Sequence, residues 1–217
     1  MKRKYGMLLV LLGVISFFIA CTSPWKVIRQ AVPNPFLGAN PHFFVTDIVY
    51  ENLQVGNISE DEYLSRKKAI QQQHWKEDKI FLSSHFMNGL KRNGEELSFR
   101  FKGEPKKDEF VIQPIVNFLE PGFYAVVQRP TEVRMKVLIL RDKQVVDEIF
   151  IHILTNATGG VCFIKNGRRY KKKSNGFSVG GFRIPTKGTV RGRLKKSGDF
   201  LGKWVAQYLQ KRLKDKK

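Results

Sequence analysis

A series of short apolar segments separated by turn signals is the feature that most limits what this chain can fold into. The segments are rich in β-branched and aromatic residues, and several alternate apolar with polar positions, which gives a strand one buried and one solvated face. Arg141–Gln144 has the length of a hairpin connection between the last two of these segments, Glu132–Leu140 and Val145–Leu154. The pattern predicts an antiparallel meander built from Phe43–Tyr50, Leu97–Phe101, Phe110–Leu119, Phe123–Gln128, Glu132–Leu140 and Val145–Leu154.

A helix is predicted between the first and second of these strands. Ser59-Glu60-Asp61-Glu62 has the form of a capping box, in which the hydroxyl and the carboxylate each satisfy a free backbone N–H group. Apolar residues then recur at helical spacing up to the stop signal Asn93-Gly94. We expect one long helix, or two helices that meet near Gln73, with a buried face made of Trp75, Leu82, Phe86 and Leu90.

The clearest helical pattern lies at the carboxyl end of the chain. Asp199 can cap a helix over about 199–214 whose apolar residues fall on one face, namely Leu201, Trp204, Val205, Tyr208, Leu209 and Leu213. The predicted fold class is therefore α+β. An antiparallel or mixed sheet would carry the long helix and the C-terminal amphipathic helix on one face, in a single domain over 43–217.

The amino-terminal stretch predicts export and lipid attachment. Three basic residues precede an uncharged apolar run, Met7–Ala20, which is shorter than a spanning helix requires. Phe18-Ile19-Ala20-Cys21 resembles the bacterial lipobox, so residues 1–20 would be a signal peptide and Cys21 the lipid-attachment residue. The alternative is a buried cysteine in an ordinary signal or anchor helix.

If the lipobox resemblance holds, the protein is a palmitate-bearing lipoprotein of the cell envelope. Thr22, in place of an aspartate after the cysteine, resembles the pattern for delivery to the outer membrane, so we expect the periplasmic face of that membrane. Residues 21–42 hold four prolines with little periodicity, which predicts an extended tether between membrane and domain.

Nearly all of the excess positive charge lies in the last third of the chain. From Thr155 onward there are 18 Lys/Arg and 2 Asp/Glu, whereas the whole chain has 39 and 19. The dipeptide Asn166-Gly167 suits a type I′ turn, and it predicts a projecting basic hairpin over about 161–173. Candidate polyanion-binding residues are Lys165, Arg168, Arg169, Lys171, Lys172 and Lys173.

The positive charge favours an anionic lipid headgroup or an anionic polymer of the envelope as the partner. Nucleic acid is not the expected partner, because the predicted export would separate the protein from it. A solvated basic face without a ligand is the alternative. The hypothesis predicts binding that weakens as salt rises.

The sequence shows no pattern typical of a catalytic or metal site. The four histidines are scattered, and no Gly-x-Ser-x-Gly elbow or phosphate-binding glycine loop is present. Cys162 is the one cysteine besides Cys21, so a lipidated Cys21 leaves no intramolecular disulfide, and we expect Cys162 to be buried. We expect neither an enzyme nor a bound cofactor or metal.

Three motifs resemble a family of bacterial envelope lipoproteins that has no assigned active site. They are Phe110–Gly122 leading into Phe123-Tyr124-Ala125, Arg129–Val133, and Leu201–Leu209. The resemblance implies an α/β fold similar to the TolB amino-terminal domain and to curli-secretion-type lipoproteins. It implies an envelope address but no specific function. The predicted anchor, together with the lack of a catalytic pattern, favours a membrane-anchored, non-catalytic interaction or assembly protein that engages an envelope protein partner. The alternative function is a module that binds anionic lipid or polyanion through the basic last third.

Overall fold

The computed structural model describes residues 23–37, 41–122, 129–156, 160–172 and 190–215. These residues form one mixed sheet with helices packed on it, which confirms the predicted fold class. The strands are β1 (Trp25–Gln30), β2 (His42–Val45), β3 (Val49–Val55), β4 (Ile58–Ser59), β5 (Ser98–Arg100), β6 (Phe110–Glu120), β7 (Thr131–Arg141), β8 (Gln144–Thr155), β9 (Val161–Lys165) and β10 (Arg168–Lys172).

The centre of the sheet is the antiparallel meander β6–β7–β8, as the sequence predicts. Asp142 and Lys143 both adopt positive φ angles, 50° and 64°, so a two-residue type I′ loop joins β7 to β8. On one side β9 and then β10 continue the sheet, while β1 pairs with the other half of β8. Phe123–Gln128, predicted as a strand, lies outside the described residues.

The other side of the sheet is parallel. The predicted strand Phe43–Tyr50 is wrong as a single element, because the chain breaks at 46–48 and forms β2 and β3. Both pair in parallel with successive parts of β6, and β5 pairs in parallel with β2. Parallel strands need a crossover, and helical segments between β4 and β5 supply it.

The described helices are α1 (Glu60–Ser65), α2 (Ala69–Asn93) and α3 (Val190–Lys214). Ser59 caps α1 as predicted, since its hydroxyl accepts a hydrogen bond from the backbone N–H of Glu62 at 3.2 Å, but the Glu62 carboxylate pairs with Arg66 and does not complete the capping box. The junction between the first two helices lies at 66–68 rather than near Gln73. Within the part of the chain described here, no helix is long and apolar enough to cross a membrane.

The prediction that Asp199 caps the C-terminal helix is wrong, because α3 begins nine residues earlier. Asp199 lies inside α3, and its carboxylate contacts Arg92 at 2.7 Å and His85 at 3.3 Å. An aspartate is unfavourable inside a helix when it competes for backbone groups. Here the carboxylate has side-chain partners on α2 instead, and it ties the two helices together.

Glycines set the close approach of α2 and α3. A Cβ atom on Gly202 would overlap the carbonyl oxygen of Phe86, and one on Gly198 would lie 2.8 Å from that of Leu82. Because the later glycine meets the later α2 residue, the two helices run in the same direction. Gln210 continues this register with a 3.0 Å hydrogen bond to the carbonyl of Asn93.

The core lies between this helix pair and one face of the sheet. Alternate residues of β7 are fully buried, namely Val133, Met135, Val137 and Ile139. They lie in one hydrophobic cluster with Leu201, Trp204 and Leu209 of α3. The intervening β7 residues, such as Glu132 and Arg134, are half-buried on the opposite face. This alternation is typical of an antiparallel sheet with one solvated face.

The prediction of an extended tether over 21–42 is wrong for the described part of that segment. Trp25 begins β1 and packs edge-on against Tyr208 at 5.8 Å between ring centroids, and Phe36 is 1% exposed. The prolines suggested an unpacked chain. Burial of these aromatic rings against α3 and the sheet instead makes the segment part of the domain.

A buried ion pair holds the same segment in place. Arg212 Nε donates to Asp147 Oδ2 at 2.8 Å, and both side chains are 3% exposed or less. The other carboxylate oxygen accepts from the backbone N–H of Ala31 at 3.0 Å, while Arg212 donates to the carbonyl of Ala31. Tyr208 donates to Asp147 at 2.6 Å, and burial together with this bond raises the pKa of Tyr208 above its ordinary value.

Arg212→Met tests the importance of this network. It leaves the Asp147 carboxylate buried without its cation, and we expect it to lower the free energy of unfolding by about 3–5 kcal/mol. The matched control is Arg92→Met, which removes a cation that is 63% exposed and should cost about 0–1 kcal/mol. Urea unfolding measures both; equal losses would contradict a structural role for the buried pair.

Gly202→Ala tests the helix contact. Alanine is favoured over glycine inside a helix by about 1 kcal/mol, so propensity alone predicts a more stable protein. Because the methyl group would overlap Phe86, we expect a loss of about 1–3 kcal/mol instead. A rise in the thermal unfolding midpoint would show that the helices do not approach as closely as described.

Candidate anionic-surface site

The basic hairpin forms with the predicted turn. Asn166 and Gly167 adopt φ angles of 50° and 73° and connect β9 to β10. The hairpin does not project from the domain, because β9 pairs with β8 and Phe163 packs edge-on against Trp204 at 5.9 Å. Tyr170 stacks on Phe163 at 5.1 Å. The aromatic residues of the hairpin therefore anchor it to the core.

The predicted cations do not share one face. Lys165 lies directly opposite Arg168, in the row that carries Phe163 and Tyr170, whereas Arg169 lies opposite Ile164 in the other row. Like charges directly opposite each other on neighbouring strands are destabilising, and a bound anion would relieve that repulsion. The Lys171 and Lys172 side chains, and all of Lys173, lie outside the described residues.

The hairpin lies beside the start of the described chain. Lys165 Nζ donates to the Ser23 hydroxyl at 3.1 Å, a contact between residues 142 apart in sequence. Cys21 and the predicted signal lie outside the described residues. The hairpin therefore lies beside the first described residue, which follows Cys21 by two positions in the sequence.

Apolar side chains are exposed in this same amino-terminal segment. Val27, Ile28, Val32 and Leu37 are 40%, 51%, 87% and 41% exposed, respectively. Exposed Lys26 and Arg29 flank Val27 and Ile28 in β1. A mixture of apolar and basic side chains is typical of surfaces that lie in a membrane interface. We use the term docking surface for Lys26–Arg29, Lys165, Arg168 and Arg169, which lie along the edge of the sheet formed by β1, β9 and β10, with Arg169 on the opposite face from Lys165 and Arg168.

A second polar cluster lies on the solvated face of the sheet. Glu132 accepts from His152 Nε2 at 2.7 Å and from Arg134 at 2.8 Å, and Arg134 stacks over Phe118 at 4.1 Å. The bond from His152, followed by that from Arg134, lowers the pKa of Glu132 against the opposing effect of burial. Phe118, Glu132 and Arg134 line a cavity of about 490 Å³. The carboxylate is paired with Arg134 and hydrogen-bonded to His152, which favours a structural role.

Two of the other histidines are also in ordinary contacts. His42 lies 2.8 Å from the Ser98 hydroxyl, and His85 contacts Asp199. Among the residues that the structure describes, no group of three His, Cys, Asp or Glu side chains is placed to hold a metal ion. Cys162 is buried at 2% exposure, as predicted.

A groove between α2 and α3 was not predicted from the sequence. It has a volume of about 810 Å³, and its charged and aromatic lining consists of five cations, one carboxylate and two aromatic rings, namely Arg92, Arg191, Lys195, Lys196 and Lys203, Asp199, and Phe81 with Phe200. The i, i+4 spacing of Arg191 and Lys195 on one helix was the available sequence signal. The contribution of α2 depends on tertiary packing alone.

The fold is similar to two solved bacterial proteins at low identity. No family model matches this sequence, and no curated protein matches it. A PelC dodecamer from Paraburkholderia phytofirmans is 9% identical, with 83% of this chain and 96% of that chain covered and a TM-score of 0.39. A DUF330 family protein from Xanthomonas campestris is 10% identical, with 86% and 94% covered and a TM-score of 0.39. The likeness to both concerns the fold alone, and the TolB-like and curli-secretion-like comparison stays a prediction.

Proposed function

We propose that this chain is a lipid-anchored, non-catalytic binding protein of the bacterial cell envelope, held against an anionic membrane surface by its docking surface. The proposal combines the lipobox at Cys21 with the alternative function predicted for the basic hairpin. The single observation that carries it is the 3.1 Å contact between Lys165 and Ser23. It brings the basic hairpin next to the point where acyl chains would be attached.

The short distance between Cys21 and the domain favours direct contact with the membrane. Because β1 begins at Trp25, only a few residues would separate a lipidated Cys21 from the folded domain. Lys26, Arg29, Lys165, Arg168 and Arg169 would then lie near the lipid headgroups, where each basic side chain contributes about 1 kcal/mol of attraction to an anionic surface. The exposed apolar residues of the segment would be buried at the boundary between headgroups and acyl chains, which would add to the membrane affinity.

Vesicle binding tests the docking surface without the acyl chains. A chain that starts at Thr22 keeps every described contact, because the described residues begin at Ser23. We expect it to bind vesicles that contain anionic phospholipid at low salt, and to release them as salt rises. The triple variant Lys165→Gln, Arg168→Gln, Arg169→Gln should weaken sedimentation with these vesicles by about tenfold or more.

The matched control is Lys102→Gln, Lys106→Gln, Lys107→Gln. It removes the same charge from exposed residues beside β5, at the opposite edge of the sheet from β10. We expect this control to bind within about twofold of the parent chain, since attraction between exposed charges falls off over about a Debye length. Equal weakening in both variants, or no binding of the parent at low salt, would reject the docking surface.

Lipid attachment is tested separately by metabolic labelling. Radioactive palmitate should enter the parent protein, and Cys21→Ala should abolish its incorporation because the Cys21 sulfur carries the diacylglyceryl group through a thioether. Cys162→Ala is the control and should label normally, since Cys162 is buried. Label that persists in Cys21→Ala would show that the lipobox prediction is wrong.

A further inference from the structure

We propose that the groove between α2 and α3 binds an acidic amphipathic helix of a partner protein. The groove shares no residue with the docking surface, so this proposal stands independently of the proposed membrane contact. Its volume of about 810 Å³ lies in the range of specific ligand sites. The lining of α3 extends from Arg191 to Lys203, which corresponds to roughly 18 Å of helix or three turns.

Unpaired cations give the groove its preference for an acidic ligand. Two of the rim cations are already in ion pairs, Arg191 with Glu77 at 2.6 Å and Arg92 with Asp199 at 2.7 Å. Lys195 and Lys203 form no hydrogen bond or ion pair within the described residues. They lie eight positions apart on α3, which separates them by about 12 Å along the helix axis. Carboxylates two turns apart on a bound helix would match this spacing.

Two half-buried aromatic rings give the groove its apolar floor. Phe200 packs edge-on against the fully buried Trp204 at 5.6 Å, and Phe81 packs against His85 at 4.5 Å. The rings are therefore held in fixed positions by the core and by α2. Fixed aromatic surface is typical of the anchor points of helix-in-groove recognition.

The walls of the groove explain why the ligand is a helix rather than an extended peptide. An extended peptide gains affinity by adding main-chain hydrogen bonds to a sheet edge. Here the lining residues lie within α2 and α3, whose interior N–H and C=O groups are satisfied inside each helix. Recognition must use side chains, with apolar residues on the floor and charges on the rim. An amphipathic helix presents both at once.

A synthetic peptide of about four turns tests the proposal. It carries Leu at i, i+3, i+4 and i+7 and Glu on the flanks, and its affinity is measured by fluorescence anisotropy with the chain that starts at Thr22. We expect saturable binding of the acidic peptide. A peptide with Lys in place of Glu, and one of scrambled order that disperses the Leu residues, should each bind at least about tenfold more weakly.

Matched variants locate the binding. The double variant Lys195→Glu, Lys203→Glu should bind the acidic peptide at least about tenfold more weakly. Lys211→Glu with Lys214→Glu reverses two exposed charges on the same helix outside the groove, and it should leave affinity within about twofold. Circular dichroism and thermal unfolding should be unchanged in both variants, because the altered side chains are at the surface.

Several outcomes would overturn the proposal. These are failure of the folded parent chain to bind the acidic peptide, equal binding of the Lys peptide or the scrambled peptide, and equal loss in the two variants. If Lys195→Glu with Lys203→Glu abolishes vesicle binding or self-association while peptide affinity is unchanged, the groove binds lipid or a second copy instead. Vesicle binding by the parent chain alone does not bear on the groove.

Discussion

The buried pair of Asp147 and Arg212 is the interaction on which the arrangement of this domain depends. It joins a central strand, the last turn of the C-terminal helix and the backbone of Ala31. A buried carboxylate is costly unless charges and hydrogen bonds satisfy it, and here both of its oxygens are satisfied. Because its partners come from three separated parts of the chain, the network forms only when the amino-terminal segment lies against the completed core.

The second constraint is the close packing of two parallel helices. Gly198 and Gly202 remove the side chains that would hold α3 away from α2, and the Asp199 carboxylate between them is paired with Arg92. This closeness has a consequence for the outer surface. It leaves a shallow groove whose rim is rich in cations, because most acidic residues of the chain lie before residue 155. The same packing that stabilises the helix layer thus creates this groove.

The amino-terminal segment links stability with the proposed attachment to a membrane. It contributes an edge strand, buried aromatic rings and a partner for the ion pair, and it also carries four of the exposed apolar residues. A flexible tether would allow the domain to move away from the bilayer. In the proposed attachment, a packed segment would hold the domain close to the bilayer, and the basic hairpin beside Ser23 would face the lipid headgroups. Orientation on the membrane would follow from the fold itself.

By itself, the sequence determined the features that depend on neighbouring residues. These are the central meander, the helix cap at Ser59, the type I′ turn at Asn166-Gly167, the apolar face of the last helix and the burial of Cys162. Each follows from local dihedral preferences or from side-chain periodicity, which neighbouring residues fix. Of the candidate site, the sequence identified basic residues but placed them on one projecting hairpin, whereas strand alternation divides them between two faces.

Only the tertiary structure decided the features that join distant residues. Proline content predicted a tether, yet Trp25 and Phe36 are buried because α3 and the sheet offer them a surface. Asp199 has the residue type of a helix cap, but its partners on α2 keep it inside a longer helix. The groove and the contact between Lys165 and Ser23 each join elements that lie far apart along the chain. The free energy of packing decides where such elements meet, and a local sequence pattern does not contain that information.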